Sequence, residues 1–269
     1  MRSSNPVFSR DGIFTRAAGS ASSARAPYEG QLTAEQLEQL YLAPAAGPAA
    51  TGRMTLDDVV ARTTLTLLTL VAAGAVAWFA LPAAGFGPAA LAALAAFVIG
   101  LVVSFRRSVS PPLVLLYAGL EGFFLGSVTR ALDTVWPGIA VQAVLGTAAV
   151  FAGMLLAYRG GLIRVTARYT RVGLAVAAGF LLLMLVNLVA SLFGAALGLN
   201  SGPLGILVGL VGIGLGAFFL SLDFAAVERA IRDGAPERES WRAAFGLTLS
   251  LVWIYLELLR LIAILRGDD

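Results

Sequence analysis

From Met54 onward the chain alternates long apolar runs with short polar breaks. The runs fall at roughly 61–81, 87–105, 112–130, 137–158, 171–193, 203–225 and 241–265. Each comes close to the ~20 apolar residues a helix needs to cross a hydrocarbon core, so the pattern predicts an all-α membrane protein of seven transmembrane helices. Prolines mark the joints: Pro82, Pro88, Pro111, Pro112, Pro137 and Pro203 stand at starts or ends of runs, where a missing N–H costs least. Thr55 followed by Asp58 predicts a capping-box-like opening for the first helix, and Asp57 and Asp58 suit the positive end of its dipole.

Residues 1 to about 52 carry no such run. They are rich in Ser, Ala, Pro and Gly and read as a disordered tail, with one short capped helix predicted from Thr33 to Leu40. The stretch lacks a charged start followed by an apolar core and a cleavage site, so the tail is expected to stay on the protein. The domain division expected is therefore a cytoplasmic tail over 1–52 and a helical transmembrane domain over 53–269.

Composition agrees with the pattern. Of 269 residues, 58% are hydrophobic and 13% charged, with a mean hydropathy of +0.85, outside the range of soluble globular chains. All nineteen basic residues are arginine, and those between the runs cluster in alternate loops. Arg106 and Arg107 lie between runs two and three. Arg159, Arg164, Arg168 and Arg171 lie between four and five, and Arg229, Arg232, Arg238 and Arg242 between six and seven. The intervening loops carry only Arg130. This alternation predicts a multi-pass protein of the plasma membrane with its amino terminus in the cytoplasm, and argues against nucleic-acid binding. Cysteine and histidine are both absent, which removes thiol nucleophiles, Ser-His-Asp triads, zinc-protease motifs and the usual pH switch. The chain is expected not to be an enzyme, and no cofactor is implied.

The candidate chemistry lies in acids inside the runs. Glu257 sits well within the last run, Asp223 toward the end of the sixth and Glu121 near the middle of the third. A carboxylate in hydrocarbon is costly and by default faces a cavity or a partner. Two carboxylates held close without a cation share a proton and titrate as a pair, and when ionised they offer oxygen ligands to a hard cation such as Ca²⁺. Asp223 and Glu257 are thus the expected proton sensor and a candidate calcium site. The plainer alternative is that Glu257 only pairs with Arg260, three residues on along the same helix face. Pairing with Asp223 also has a geometric condition. Straight helices leave Glu257 roughly 22 Å past Arg242, deeper than Asp223, so tilt, an earlier helix start or a broken sixth span is required. Gly205, Gly209, Gly212, Gly214 and Gly216 crowd that sixth span. They read chiefly as tight helix packing, with a hinge as the alternative. Asn187 and Gln142 read as interhelical hydrogen-bonding groups.

Four segments together carry a resemblance: MTLDDVVARTTLTL, RRSVSPPLVLLYAGLEGFFLGSVTRAL, RVTARYTRVGLAVAAGFLLLMLVNLV and IYLELLRLI. They are similar to the Bax inhibitor-1/YccA-like family of membrane proteins, in its actinobacterial-type branch, over about residues 54–266. The resemblance implies a seven-helix fold with the last helix central and wrapped by the other six. It also implies a pH-sensitive calcium leak and a paired-carboxylate sensor between the last two helices. Glu257 matches the acid of the last helix, where relatives commonly carry Asp. Asp223 matches the acid that ends helix six, with Phe224 and Ala225 in place of a following Thr-Gln. Glu121 matches a Glu-Gly of helix three, and Arg106 or Arg107 are candidates for the arginine partner. The function expected is a pH-sensitive cation (calcium) leak channel gated by a buried carboxylate pair. The alternative is a non-transporting interaction protein that modulates a membrane protease or stress response. Partners expected are the lipid bilayer, calcium and protons, while the sequence names no protein partner.

Overall fold

Seven helices follow one another in the order the apolar pattern predicts. The computed structural model describes residues 52–80, 86–106, 108–195, 197–199 and 201–267. The helices are α1 (Leu56–Ala80), α2 (Phe86–Phe105), α3 (Pro111–Val135), α4 (Ile139–Arg159), α5 (Ala167–Leu192), α6 (Gly202–Arg232) and α7 (Ser240–Gly267), with one 3-10 turn (Glu237–Glu239) ahead of α7. All seven are long and apolar enough to cross a membrane, and no strand is formed among the described residues. The tail to residue 51, the expected helix from Thr33 to Leu40, Pro82, Arg107, Asp268 and Asp269 lie outside the described residues.

The helix starts follow local chemistry. At α1 the Thr55 N–H donates to Asp58 Oδ2 at 2.9 Å and the Asp58 N–H donates back to Thr55 Oγ1 at 3.1 Å. This is the reciprocal cap the sequence predicts. Pro111 opens α3 after Ser110, and Thr166 caps α5 by accepting from the Tyr169 N–H at 3.2 Å. The sixth helix runs unbroken for 31 residues, so its glycines create no interruption.

The last helix is the hub. It packs against α1, α3, α4 and α6. It reaches α2 through Phe245, which joins Ala96 and Val103 in one core cluster. Trp253 reaches α5 by stacking obliquely on Phe180, with ring centroids 6.0 Å apart. A separate and tighter contact joins α1 to α3. A β-carbon at Gly122 would lie 2.0 Å from the Leu70 carbonyl oxygen, and one at Gly126 would lie 2.2 Å from the Gly74 carbonyl oxygen. These two backbones therefore touch directly, which only small residues permit. Large apolar side chains such as Leu94, Phe97, Leu145, Leu182 and Leu207 face outward, the expected surface of a bundle solvated by lipid.

Beyond the helices, Gly52–Met54 straps the loop between α6 and α7. Arg53 and Pro236 form an antiparallel bridge. The Met54 N–H donates to the Ala235 carbonyl at 2.8 Å and the Glu237 N–H to the Gly52 carbonyl at 2.9 Å. Met54 itself is 2% exposed and packs with Leu220, Leu247 and Ile254. Arg62 on α1 ion-pairs with Glu237 and lies 5.7 Å from the Trp241 ring centroid.

Candidate functional site

The α6–α7 seam is set by small residues on one helix facing larger ones on the other. A β-carbon at Gly209 would meet Leu261 Cδ1 at 3.3 Å, at Gly216 it would meet Ile254 Cγ1 at 2.4 Å, and at Gly212 it would meet Glu257 Cδ at 2.5 Å. A β-carbon at Gly246 on α7 would meet Asp223 Oδ1 at 3.1 Å. The Trp253 indole N–H adds a hydrogen bond to the Gly212 carbonyl at 2.9 Å. These contacts fix one antiparallel register in which Gly212 lies level with Glu257 and Asp223 lies level with Gly246.

The two acids consequently occupy separate stations. Asp223 lies eleven positions after Gly212 on α6, and Glu257 eleven positions after Gly246 on α7. At 1.5 Å per residue the stations are about 16 Å apart along the seam. The sixth span is not broken, and although α7 starts at Ser240, ahead of Arg242, the register of the seam still holds the two acids at different levels. Between the stations the seam is filled by Leu220 and Ile254, both 0% exposed.

Each station has its own partner. At the first, the Ser250 hydroxyl donates to Asp223 Oδ2 at 2.5 Å. Among the described residues no cation lies within ion-pair distance of Asp223, since the ion pairs present are Arg62–Glu237, Arg232–Glu228, Arg242–Glu239 and Arg260–Glu257. At the second, Arg260 Nη2 donates to Glu257 Oε2 at 2.6 Å, and the two side chains are 23% and 14% exposed. The plainer reading of Glu257, an ion pair with Arg260, describes this station. Arg260 Nε is buried there with no hydrogen-bond partner among the described residues.

Glu121 stands apart from both. It lines a cavity of about 400 Å³ between α2, α3 and α7, with Ser104, Tyr117, Phe245 and Trp253 on the walls. Among the described residues no hydrogen bond or ion pair reaches its carboxylate. The arginine candidates divide in the same way. Arg106 is exposed and its carbonyl accepts from Arg242 Nη2 at 3.2 Å. Its guanidinium makes no ion pair among the described residues, and Arg107 lies outside them. No group of three or more acidic side chains gathers to hold a metal ion among the described residues.

Two secondary expectations are corrected. Gln142 is exposed on α4 and makes no side-chain hydrogen bond to another helix among the described residues. Asn187 is buried, but its Oδ1 accepts from the Leu197 N–H at 3.1 Å, so it ties α5 to the connection that follows it and not to a neighbouring helix. Sequence reasoning also passed over Ser250, Gly246 and Trp253. Their roles depend on the register between α6 and α7, which no local pattern announces.

A comparison with curated proteins finds no match in sequence. Residues 5–267 match the family described as Bax inhibitor 1 like, and the chain belongs to that family.

Proposed function

We propose that this multi-pass membrane protein is a pH-sensitive cation leak pathway, with calcium as the ion it passes, and that Asp223 is its proton-responsive group. The observation that carries the reading is the setting of Asp223: a carboxylate wedged between α6 and α7, held by the Ser250 hydroxyl and facing Gly246, with no cation beside it among the described residues. The protonation state of a carboxylate so placed is coupled to how closely the two helices pack. Glu257 has its charge balanced by Arg260 and forms a second, fixed polar station on the same seam. Leu220 and Ile254 between them are a dry barrier that a passing ion must cross. Glu121 is assigned a supporting part as an acid lining the α2–α3–α7 cavity. The arginine-bearing loops favour an amino terminus on the cytoplasmic side of the plasma membrane. Under this reading the chain performs no catalysis.

The test is calcium flux into dye-loaded liposomes carrying the parent, Asp223→Asn or Glu257→Gln, measured across a pH series. Asp223→Asn is expected to flatten the pH response, while Glu257→Gln changes the size of the flux and keeps its pH dependence. Equal flux and equal pH response in all three rejects the proposal.

A further inference from the structure

We propose that the recess where α4, the α4–α5 connection and the last turns of α6 meet binds the phosphate of an anionic phospholipid headgroup. The recess holds about 330 Å³ and is lined by Tyr158, Arg164, Arg229, Arg232 and Glu228, with Ile163 and Val165 as its apolar wall. Its one acid is already engaged. Arg232 Nη2 donates to Glu228 Oε1 at 2.7 Å, and the Tyr158 hydroxyl donates to Glu228 Oε2 at 2.7 Å.

Arg164 and Arg229 are left as a surplus of positive charge, and neither ion-pairs with a carboxylate among the described residues. Arg229 is also pre-positioned. Its Nε donates to the Ala225 carbonyl at 3.1 Å, which directs the two terminal nitrogens away from its own backbone. A planar guanidinium with both terminal nitrogens available matches phosphate oxygens in pairs.

Depth favours a lipid over a soluble ion. A helix of 31 residues is about 46 Å long, against a hydrocarbon core of about 30 Å. The last turns of α6, and the end of α4 at Arg159 beside them, therefore lie at headgroup level. Basic pockets between helix ends at that level suit anionic headgroups. The Ile163 and Val165 wall lies where the glycerol shoulder of such a lipid would rest.

The experiment uses the full chain in mixed micelles, with phosphatidylglycerol and phosphatidylcholine competing and retained lipid counted by native mass spectrometry. The parent is expected to keep phosphatidylglycerol preferentially. Arg164→Gln/Arg229→Gln is expected to reduce that retention at least about tenfold, and Glu228→Gln, which removes the opposing charge, to raise it. Arg238→Gln, a charge on the same membrane face but outside the recess, is expected to change nothing. Unchanged retention in the double variant overturns the proposal, as does an equal loss in Arg238→Gln. Displacement of the lipid by millimolar inorganic phosphate also overturns it, because the recess would then be a site for a soluble anion. None of these readouts depends on ion flux, so the result stands or falls apart from the leak reading.

Discussion

Asp223 and Glu257 are both acids on the α6–α7 seam, yet they solve the problem of burial differently. Glu257 has a guanidinium one turn away on its own helix, at 2.6 Å. Removing one member of a fully buried ion pair costs ~3–5 kcal/mol because the other is stranded. Glu257→Gln strands Arg260 inside the bundle, so a loss of that order, ~3–5 kcal/mol, is expected. The double variant Glu257→Gln/Arg260→Met should recover most of it, as read by thermal unfolding in detergent. Asp223 is held instead by one hydroxyl from the facing helix. Asp223→Asn and Ser250→Ala are therefore expected to be non-additive, with a coupling of ~0.5–3 kcal/mol in a double-mutant cycle. Additive losses would show that the two side chains act independently. The Glu257–Arg260 pair was legible in the sequence because it is local, three residues along one helix face. The Ser250 partner was not, because 27 residues and a change of helix separate it from Asp223.

Among the elements, the contact between α1 and α3 is the least forgiving. A β-carbon at Gly122 would meet main-chain atoms of Leu70, the carbonyl oxygen at 2.0 Å and Cα at 2.8 Å, and main chain cannot swing aside as a side-chain tip can. Gly122→Ala is expected to destabilise by at least ~1–3 kcal/mol, the range for overpacking. Gly119→Ala on the same helix, where nothing lies within 4 Å, should be neutral or slightly stabilising. Equal unfolding temperatures for the two variants would show that the close approach is not maintained in solution. The glycine spacing of α6 was visible in the sequence, but which glycines touch a neighbour was not. Gly209, Gly212 and Gly216 face α7, whereas Gly214, in the same run, faces open space. Helical phase decides between them, and that phase is set by the partner.

At the scale of the molecule, the strap from Gly52 to Met54 places the residues preceding α1 on the same end of the bundle as the α6–α7 loop. Because the chain has no cysteine, an introduced pair can be read without background. Residues facing each other across an antiparallel bridge have Cα atoms about 4.5–5.5 Å apart, within disulfide reach. Arg53→Cys/Pro236→Cys is expected to oxidise spontaneously to an internal disulfide, seen as a reducible mobility shift. Free thiols in both positions under oxidising conditions would show that the strap does not persist. The number of helices was legible in the chain because a bilayer imposes a length on each apolar run. The strap was not, since it pairs two short polar segments nearly the whole domain apart.

The direct backbone contact of α1 with α3 also fixes what can move. Two helices in direct contact through Gly74, Gly122 and Gly126 are expected to move together as a stator, and α7 is packed against both of them. Under the proposed proton response, widening at Asp223 is expected to be a swing of α6 away from that pair and not a general dilation of the helices. Spin labels spanning α1 and α3 should hold their separation across pH while labels spanning α6 and α7 change theirs.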